Sequence, residues 1–283
     1  MTLHIIVPVH NRAAVSERFA AAIGRQTLRE FRLLLVDDGC TDDTVERVRA
    51  QVGDQRLLVL NGDGNLWWAG SLQMAYDHLL TEMIGAADAV LIINDDVGFD
   101  DDFLEQGLAV LATNRDACIQ AIGIDRTSGT IDCGAVADLR RLEFRPARDG
   151  EQPNCLSTRG LLMDAETFRR SGGLRPRWLP HYLSDYEFTL RLQRCGVRLL
   201  VDKRFRAEVE VELTGINAPN ATSARALWSQ ALSNRAKFNP KHWSAFVLMS
   251  CPVSAMPSQL ARIWFRFARS LLRAARPDKR VAS

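Results

Sequence analysis

Four short polar clusters follow apolar runs within the first hundred residues of this 283-residue chain. They contain the side chains that bind cations, phosphates and hydroxyl groups, and three of them contain aspartate. The clusters are His10-Asn11-Arg12, Asp37-Asp38-Gly39, Asn61-Gly62-Asp63-Gly64-Asn65 and Asn94-Asp95-Asp96. A single aspartate of this kind is usually a turn residue that bonds to its own backbone. Four clusters in succession favour a shared ligand site instead.

The cluster Asn94-Asp95-Asp96 has the composition of a divalent cation site. Carboxylate oxygens are hard ligands that suit Mg²⁺ or Mn²⁺, and such a cation neutralises a diphosphate leaving group. Two acids at the end of a strand are also common in proteins that bind no metal. The cluster therefore indicates metal-assisted phosphate chemistry only in combination with the other three.

The elements that must position the clusters alternate between strands and helices. Apolar runs predict strands over residues 3–9, 31–37, 56–60 and 89–93, and helical patterns predict helices over 13–25, 41–52 and 69–80. Continuous apolar strands separated by helices are typical of a parallel sheet that is covered on both faces. Ligands bind beyond the carboxyl ends of such strands, which is where the four clusters fall.

The second half of the chain has a different pattern. Residues 118–148 alternate between apolar and polar positions with Gly and Asp turns, which predicts an antiparallel or mixed extension of the sheet. A strand over 161–164 leads into a helix over 165–171. A further helix over 183–195 ends before Gly196, since glycine commonly terminates helices. The predicted fold class is α/β, with a mostly parallel central sheet flanked by helices.

Four elements of the sequence resemble a family 2 glycosyltransferase, a family with the GT-A nucleotide-binding fold. They are the opening pair Ile6-Val7-Pro8-Val9-His10-Asn11-Arg12 and Val36-Asp37-Asp38-Gly39-Cys40-Thr41-Asp42, the loop Gly64-Asn65-Leu66-Trp67-Trp68-Ala69-Gly70, the cluster Asn94-Asp95-Asp96, and Ser184-Asp185-Tyr186-Glu187-Phe188 with Arg191. The resemblance extends over residues 1 to 215. The loop is similar to that of bacterial rhamnosyltransferase-like enzymes of surface polysaccharide synthesis.

The resemblance implies a role for each matching position. The nucleotide sugar would contact strand ends and loops of the first half, namely Pro8, His10, Asn11, Arg12, Asp38, Asn65, Trp68, Gly70 and Asp95. Among these, Asp38 would accept a hydrogen bond from a pyrimidine N–H. Mg²⁺ or Mn²⁺ would be held by Asp96 and by Glu212, which occupies the position of a metal-ligating histidine in many relatives.

On the acceptor side, the resemblance implies that Asp185 is the general base that deprotonates an acceptor hydroxyl. The acceptor would also contact Trp178, His181 and Glu187. Packing in the core is an equally ordinary interpretation of Trp178. For Glu187, the alternative is an ion pair with Arg191, four residues further along the same helix.

The sequence departs from the family pattern at several positions. Asn94 replaces the first acid of the Asp-x-Asp metal motif, and Ser184 replaces a glutamate that often precedes the base. Cys40 stands in place of a serine, and Trp67 in place of a loop glycine. The Gln-x-x-Arg-Trp motif of processive synthases is absent, which predicts the transfer of single sugars.

The predicted function is therefore inverting, metal-dependent transfer of one sugar from a UDP- or dTDP-linked donor to a hydroxyl of a glycan or lipid-linked acceptor. One alternative, a sugar-1-phosphate nucleotidyltransferase, needs a Gly-rich phosphate loop near residue 10, which is absent. A second alternative is a non-catalytic carbohydrate- or nucleotide-binding module. It requires that the substitutions at Asn94 and Ser184 abolish metal binding and base function, and retention of Asp96 and Asp185 argues against it.

Charge is distributed unevenly along the chain. The formal net charge is +2, but eleven Lys or Arg and one acid from Leu213 to Ser283 give that tail +10 and leave −8 on the remainder. Six arginines recur on one face of a predicted helix: Arg262, Arg266, Arg269, Arg273, Arg276 and Arg280. Such a basic amphipathic helix predicts peripheral contact with an anionic membrane through residues 258–280. Packing on the catalytic domain, or on a second subunit of a homodimer, is the alternative.

The chain is thereby divided into a GT-A catalytic domain, residues 1–215, and a basic helical extension, residues 216–283. Within the domain, residues 1–100 form the nucleotide-sugar half and residues 101–215 the acceptor half. Six cysteines lack the spacing of a zinc site, and no apolar run is long enough to span a membrane. These features predict a cytoplasmic protein with no nucleic-acid partner, and with any membrane contact at the inner face.

Overall fold

The computed structural model describes residues 1–125, 128–129, 131–148, 150–209, 228, 231–234, 236 and 238–274. Within these residues, nine strands form one mixed sheet and two form a separate antiparallel hairpin. The strands are β1 (Leu3–Val9), β2 (Phe31–Asp37), β3 (Leu57–Asn61), β4 (Ala89–Ile92), β5 (Val97–Gly98), β6 (Ala117–Asp125), β7 (Ile131–Asp132), β8 (Ala135–Asp138), β9 (Glu143–Pro146), β10 (Leu161–Asp164) and β11 (Arg198–Val209). The hairpin consists of β8 and β9.

The sheet is mostly parallel, as predicted. Its strand order is β3-β2-β1-β4-β10-β6-β11-β5, with β7 paired to β6. The pairs β1–β2, β1–β4, β2–β3 and β6–β11 are parallel. By contrast, β10 is antiparallel to both of its neighbours, and β5 is antiparallel to β11. The carboxyl ends of β1 to β4 therefore lie at one edge of the sheet, where the four polar clusters begin.

Helices cover both faces of the sheet. In the described residues they are α1 (Ala13–Gly24), α2 (Thr44–Val52), α3 (Trp67–Thr81), α4 (Phe103–Thr113), α5 (Ala165–Arg170), α6 (Ser184–Arg194), α7 (Pro240–Ser250) and α8 (Met256–Ala274). One core layer joins α1, α2 and α4 to the sheet, and the other joins α3, α5 and α6. Because side chains alternate along a strand, Ile5 and Val7 of β1 enter the first layer and Ile6 the second.

Two helices begin two or three residues away from their predicted start, whereas α6 begins one residue late, at Ser184. The second helix starts at Thr44 rather than at residue 41, because the Asp42 carboxylate accepts hydrogen bonds from the backbone N–H groups of Thr44 and Ala13, both at 3.2 Å. The third helix starts at Trp67 rather than at residue 69, because the Asp38 carboxylate accepts from backbone N–H groups at its start. Side chains of neighbouring loops thus satisfy donors that helix starts leave unpaired.

Four elements, β5, α4, β11 and α7, are present in the structure but were not predicted. The start of α7 carries a recognisable signal in the sequence. Asn239 precedes Pro240, and the Asn239 side chain accepts hydrogen bonds from the backbone N–H groups of Lys241 (3.0 Å) and His242 (3.4 Å). Asparagine followed by proline is a favoured helix start, so this helix could have been predicted.

The described part of the basic extension packs on the acceptor half. Phe246 of α7 is fully buried against the hairpin and α6. Arg194 of α6 donates to the carbonyl oxygens of Met249 and Ser250 at the end of α7. Gln259 of α8 donates to a carbonyl oxygen in the hairpin turn at 2.5 Å. These contacts join three elements that are far apart in the sequence.

The last helix, α8, is buried on one face only. Ile263 and Phe267 are buried, whereas Trp264, Phe265 and Leu272 are 42%, 67% and 67% exposed. Four of the predicted arginines are exposed along the helix: Arg262, Arg266, Arg269 and Arg273. The other two, Arg276 and Arg280, lie outside the described residues. Nowhere in the described part of the chain is a helix both long enough and apolar enough to cross a membrane.

Candidate active site

The loops after β1, β2 and β4 meet at one edge of the sheet. His10 donates through Nδ1 to the carbonyl oxygen of Asp38 at 2.6 Å. Arg12 forms ion pairs with both acids after β4, with Nη1 at 2.8 Å from Asp95 and Nη2 at 3.2 Å from Asp96. Three of the four clusters are therefore in direct contact with one another.

A cavity of about 220 Å³ lies between these loops and the start of α3. We call it the small cavity. Five of the predicted donor contacts line it, namely Pro8, His10, Arg12, Asp38 and Trp68. His181, which was predicted to contact the acceptor, lines it as well.

Asp38 connects the small cavity to the start of α3. Its Oδ1 accepts from the backbone N–H of Leu66 at 3.1 Å, and its Oδ2 from that of Trp67 at 3.0 Å. Each carboxylate oxygen keeps a further lone pair, so Asp38 can still accept from a ligand N–H. The loop approaches closely here, because a Cβ on Gly62 would lie 2.9 Å from Asp38 Oδ1.

Trp67 has a left-handed backbone, with φ of 58°. Bulky residues rarely adopt this conformation, which gives a physical reason for the glycine that the resembling family has at this position. The indole lines the small cavity and meets the ring of His181 edge-on, with centroids 6.3 Å apart. Backbone strain of this kind is concentrated at binding sites, where surrounding contacts hold it in place.

The two acids after β4 have different surroundings. Asp95 is 2% exposed, and its carboxylate also accepts from the Ser16 hydroxyl at 2.7 Å. Burial raises the pKa of Asp95, while the Arg12 charge and the Ser16 hydrogen bond act in the opposite direction. The side chain of Asp96 is 13% exposed and lines a second cavity. Asp96 is therefore the more accessible of the two acids.

Asn94 offers a further oxygen at the same place. Its Oδ1 is buried and has no hydrogen-bond partner among the described residues, and Asn94 is one of the residues that line the second cavity. An unpaired amide oxygen beside an accessible carboxylate fits the ligand preference of a hard divalent cation. The described residues hold no group of three or more His, Cys, Asp or Glu side chains that could enclose a metal ion. Glu212, the other predicted ligand, lies outside them.

The second cavity measures about 780 Å³, and we call it the large cavity. It shares Arg12, Trp68 and His181 with the small cavity. Asp185, in the first turn of α6, lines it together with Asp95 and Asp96. The predicted base and the predicted metal-binding acids therefore border one continuous space.

Asp185 has the proton affinity of a general base. Burial raises the pKa of its carboxyl to about 6, the neighbouring charge of Asp132 acts in the same direction, and Arg159 opposes them. A carboxyl with this pKa is charged at pH 7 and still accepts a proton readily. The start of a helix also favours a negative charge.

The loop before α6 holds Asp185 in place through an unusual backbone. Leu183 adopts φ of 68°, and the hydroxyl of Ser184 donates to the carbonyl oxygen of His181 at 2.6 Å. Burial lowers the pKa of His181, which keeps its imidazole neutral. Its Nδ1 is buried and has no hydrogen-bond partner in the described part of the chain. A neutral, unpaired imidazole thus borders both cavities.

Among the aromatic residues that line the large cavity, three from separate elements are joined by ring contacts, and we call them the aromatic wall. They are Phe144 of β9, Tyr186 of α6 and Trp243 of α7. The rings of Phe144 and Tyr186 are stacked with centroids 5.4 Å apart, and Trp243 meets Phe144 edge-on at 6.0 Å. None of the three was predicted as a site residue, because their meeting depends on contacts between distant segments.

Two of the predicted acceptor contacts lie away from both cavities. Trp178 is 54% exposed, with the guanidinium of Arg177 at 5.5 Å from its ring centre. Glu187 is buried and forms an ion pair with Arg191 at 2.8 Å, which is the alternative stated from the sequence. Neither Trp178 nor Glu187 therefore lines the large cavity, which Asp185 borders.

Three of the predicted donor contacts also lie outside both cavities. Asn11 holds two loops together, because its Oδ1 accepts from the backbone N–H of Thr41 at 2.7 Å. Asn65 and Gly70 line a different cavity beside α3. The structure thus gives Asn11 a positioning role and separates Asn65 and Gly70 from the small cavity.

The mixed sheet and the cavities at its strand ends define the GT-A class of glycosyltransferase fold. The sequence profile of Glycosyl transferase family 2 matches residues 4–152, more than half of the chain. The chain therefore belongs to glycosyltransferase family 2 and is a glycosyltransferase. No curated protein matches the chain in sequence.

Several solved structures are similar to the fold. A mannosyltransferase from Pyrobaculum calidifontis, PcManGT, solved with GDP-Man and Mn²⁺, has TM-score 0.59 and 16% identity, over 96% of this chain and 74% of that one. GalNAc-T7, solved with UDP, GalNAc and Mn²⁺, has TM-score 0.60 and 13% identity, over 97% of this chain and 58% of that one. Residues 1–349 of S. aureus TarS have TM-score 0.52 and 16% identity, over 95% of this chain and 73% of that one. At these identities, the likeness is one of fold alone.

Proposed function

We propose that this protein transfers a single sugar from a nucleoside diphosphate sugar to an acceptor hydroxyl, with inversion at the anomeric carbon. One observation carries the proposal. Asp185, whose pKa burial raises to about 6, borders the same large cavity as Asp96 and Asn94, and the Asn94 Oδ1 is unpaired among the described residues. Direct displacement at a sugar carbon requires a base beside the acceptor hydroxyl and a binding site for the leaving diphosphate in the same cavity.

We assign the donor nucleotide to the small cavity. The carboxylate of Asp38 can accept from the ring N–H of a pyrimidine, and His10 and Pro8 border the same space. Both UDP and dTDP present such an N–H. The nucleotide ligands of PcManGT and GalNAc-T7 support a nucleoside diphosphate donor in general. The resemblance of the loop to rhamnosyltransferase-like enzymes makes dTDP-rhamnose the first donor to test.

A Mg²⁺ or Mn²⁺ ion fits beside the diphosphate. Asp96 and Asn94 Oδ1 would hold it, with phosphate oxygens and water as its other ligands, and Glu212 stays a proposed ligand. When bound, the cation supplies positive charge that stabilises the leaving diphosphate. The Mn²⁺ ions of PcManGT and GalNAc-T7 support this assignment.

The chain's own residues account for the proton transfer. Asp185 takes the proton of the acceptor hydroxyl while the acceptor oxygen forms its bond to the anomeric carbon. The bond from that carbon to the diphosphate oxygen breaks on the opposite face, so the configuration inverts and a nucleoside diphosphate leaves. Arg12, which borders both cavities, is placed to carry positive charge near that leaving group.

A donor screen tests this function. The purified chain is melted with Mn²⁺ and a panel of UDP-, dTDP- and GDP-linked sugars, and release of the nucleoside diphosphate is then measured with the stabilising donor. We expect one pyrimidine-linked donor to raise the melting temperature, because a ligand of the native state stabilises it by mass action. Binding without any release, with water or with glycans as acceptor, would identify a non-catalytic binding module. No binding by any donor would reject the proposal.

We further propose that the basic extension contacts an anionic membrane through residues 258–280. Trp264, Phe265 and Leu272 form an exposed apolar strip beside the four exposed arginines of α8. Exposed aromatic and aliphatic residues next to a basic stripe are typical of helices that lie in a lipid interface. A second copy of the chain is the other occupant that this face could have.

Vesicle sedimentation tests the membrane contact. We expect the chain to bind phosphatidylglycerol vesicles at low salt, to bind them less at high salt, and to ignore phosphatidylcholine vesicles. Replacing Arg266 and Arg269 by Gln weakens binding, whereas the same change at the exposed Arg198 and Arg204 of β11 does not. A dimer in solution that α8 variants dissociate, without vesicle binding, would assign this face to a second subunit instead.

A further inference from the structure

The aromatic wall has the composition and position of a sugar-binding surface. A pyranose ring has an apolar face of C–H groups and a rim of hydroxyls, so it packs on aromatic rings while acids or amides accept from its hydroxyls. The large cavity offers both kinds of group, because Asp132 and Arg159 line it together with the three rings. The small cavity is lined by Trp67, Trp68 and two histidines, and Trp68 borders the large cavity as well.

The wall is also placed next to the base. Tyr186 directly follows Asp185 in α6, and its backbone N–H donates to the Asp185 carboxylate at 2.9 Å. A ring stacked on Tyr186 or Phe144 therefore lies within the space that Asp185 borders. The volume of about 780 Å³ is within the range of pockets that enclose a whole small ligand.

We propose that Phe144, Tyr186 and Trp243 form the binding site for a pyranose ring of the acceptor, so that the acceptor is a glycan. The proposal rests on the proposed function, since it names the second substrate of the same reaction. It also gives the basic extension a direct part in the active site, because Trp243 belongs to α7. The extension then helps to select the acceptor as well as packing on the catalytic domain.

Saturation-transfer NMR with methyl pyranosides tests the proposal. The probes are the methyl glycosides of glucose, galactose, mannose, rhamnose and N-acetylglucosamine, with the chain saturated with UDP and Mg²⁺. We expect transfer to the ring C–H protons of at least one probe, and at least a tenfold loss of its affinity in Trp243→Leu. Trp243→Phe, which keeps a ring, retains part of the affinity.

Phe238 supplies the matched control. It packs on Trp243 with centroids 6.1 Å apart but does not line the large cavity, so Phe238→Leu leaves the pyranoside signal unchanged. If Trp243→Leu fails to melt cooperatively, Tyr186→Leu replaces it. No transfer to any pyranoside with UDP bound, or an unchanged signal in both wall variants, would overturn the assignment. Where UDP does not bind, dTDP and GDP replace it as the saturating nucleotide, and failure of all three to bind would reject the proposed function instead.

Arg12 carries a second, independent inference. Its guanidinium bridges Asp95 and Asp96, the two acids beside which a cation would bind, and it also borders the small cavity. A divalent cation and Arg12 therefore compete for the same negative charge. A diphosphate bound in the small cavity would give Arg12 an alternative anionic partner to Asp95 and Asp96.

We infer that Arg12 couples cation binding to donor binding. Without a nucleotide, its positive charge offsets that of the acid pair and keeps the affinity for a cation low. With a nucleoside diphosphate bound, the guanidinium turns to the phosphates and Asp96 becomes free for the cation. Because coupling between two ligands is reciprocal, the cation raises the affinity for the nucleotide by the same factor.

Titration of Mn²⁺ into the chain, followed by electron paramagnetic resonance, measures this coupling directly. Without nucleotide, we expect Arg12→Gln to bind Mn²⁺ about tenfold more tightly than the wild type does. We expect UDP to raise the Mn²⁺ affinity of the wild type but not that of Arg12→Gln. Arg47→Gln, which removes an exposed arginine paired with Asp43 and Glu17, leaves both values unchanged. Equal Mn²⁺ affinity in wild type and Arg12→Gln, or an undiminished gain from UDP, would refute the coupling.

Discussion

The two sides of the active site are held together by different forces. Around the small cavity, hydrogen bonds to backbone atoms connect one loop to the next: His10 bonds to the carbonyl of residue 38, Asn11 to the N–H of Thr41, and Asp38 to the start of α3. Around the large cavity, a hairpin, a helix and the C-terminal extension meet through ring contacts. The first side is fixed by hydrogen bonds from polar side chains to the backbone, and the second by the packing of aromatic side chains.

The two sides are therefore expected to respond differently to mutation. The hydrogen bonds around the small cavity depend on three side chains, His10, Asn11 and Asp38, so we expect the nucleotide end of the site to keep its shape when other residues vary. Packed rings respond to each substitution, because close-packed interiors register the loss of even a small group. We therefore expect donor binding to be sensitive to mutation at a few polar positions, and acceptor binding to be sensitive at every ring of the aromatic wall.

The largest expected effect comes from the base. Asp185→Asn keeps the shape of the side chain but cannot accept a proton, so we expect turnover to fall by roughly 10²–10⁴-fold with donor affinity nearly unchanged. Steady-state kinetics and calorimetric binding of UDP measure the two quantities. Asp132→Asn removes the same charge from the same cavity and serves as the comparison: it retains most of kcat, while the KM for the acceptor rises because Asp132 lines the cavity assigned to the acceptor. Normal turnover in Asp185→Asn would place the base elsewhere.

The second largest effect is expected from Asp96, the accessible acid after β4, whose loss should reduce transfer activity and nucleotide binding. Asp96→Ala removes most of the transfer activity and weakens nucleotide binding in Mn²⁺, because the diphosphate loses its counter-charge. The matched control is Asp101→Ala, an exposed acid paired with Arg25 on the following loop. Full activity of the wild type in excess EDTA would contradict the requirement for a cation.

A smaller effect is expected from Trp67. Trp67→Gly relieves the left-handed backbone strain of about 1–2 kcal/mol and removes an aromatic contact of similar size, so the melting temperature changes little. Donor affinity falls by up to about tenfold, since the indole lines the small cavity. Trp178→Gly removes an exposed indole from outside both cavities and leaves donor affinity unchanged. Unfolding of Trp67→Gly would show that this side of the site depends on side-chain packing after all.

The smallest effect is a shift in pH dependence. Asp185 has its pKa raised to about 6, so kcat/KM is expected to fall as the pH drops through that value and the base becomes protonated. The charge of Asp132 contributes to the rise, and Asp132→Asn therefore moves the acid limb to lower pH, by less than about one unit. If the fall of kcat/KM at low pH is unchanged in Asp132→Asn, or has its midpoint near pH 4, the group that titrates there is not Asp185.

The sequence predicted five of the residues that line the small cavity and missed the aromatic wall of the large one, for one physical reason. Strands β1 to β4 follow from local apolar runs, and parallel pairing then brings their polar ends together whatever the rest of the chain does. Phe144 and Trp243 carry no such local signal, because their position depends on how a hairpin and a distant helix pack. Glu187 was open to two interpretations until its ion pair with Arg191 was seen.

The contact of Arg194 with the end of α7 bears on how this enzyme can be re-engineered. The helix that carries Asp185 also supplies the guanidinium that satisfies the last carbonyl oxygens of α7. A chimera that imports an α6 without an arginine at position 194 would lose this cap, and with it a contact that holds α7 and Trp243 next to the base. The exchangeable unit for altering acceptor choice is therefore the hairpin, α6 and α7 together.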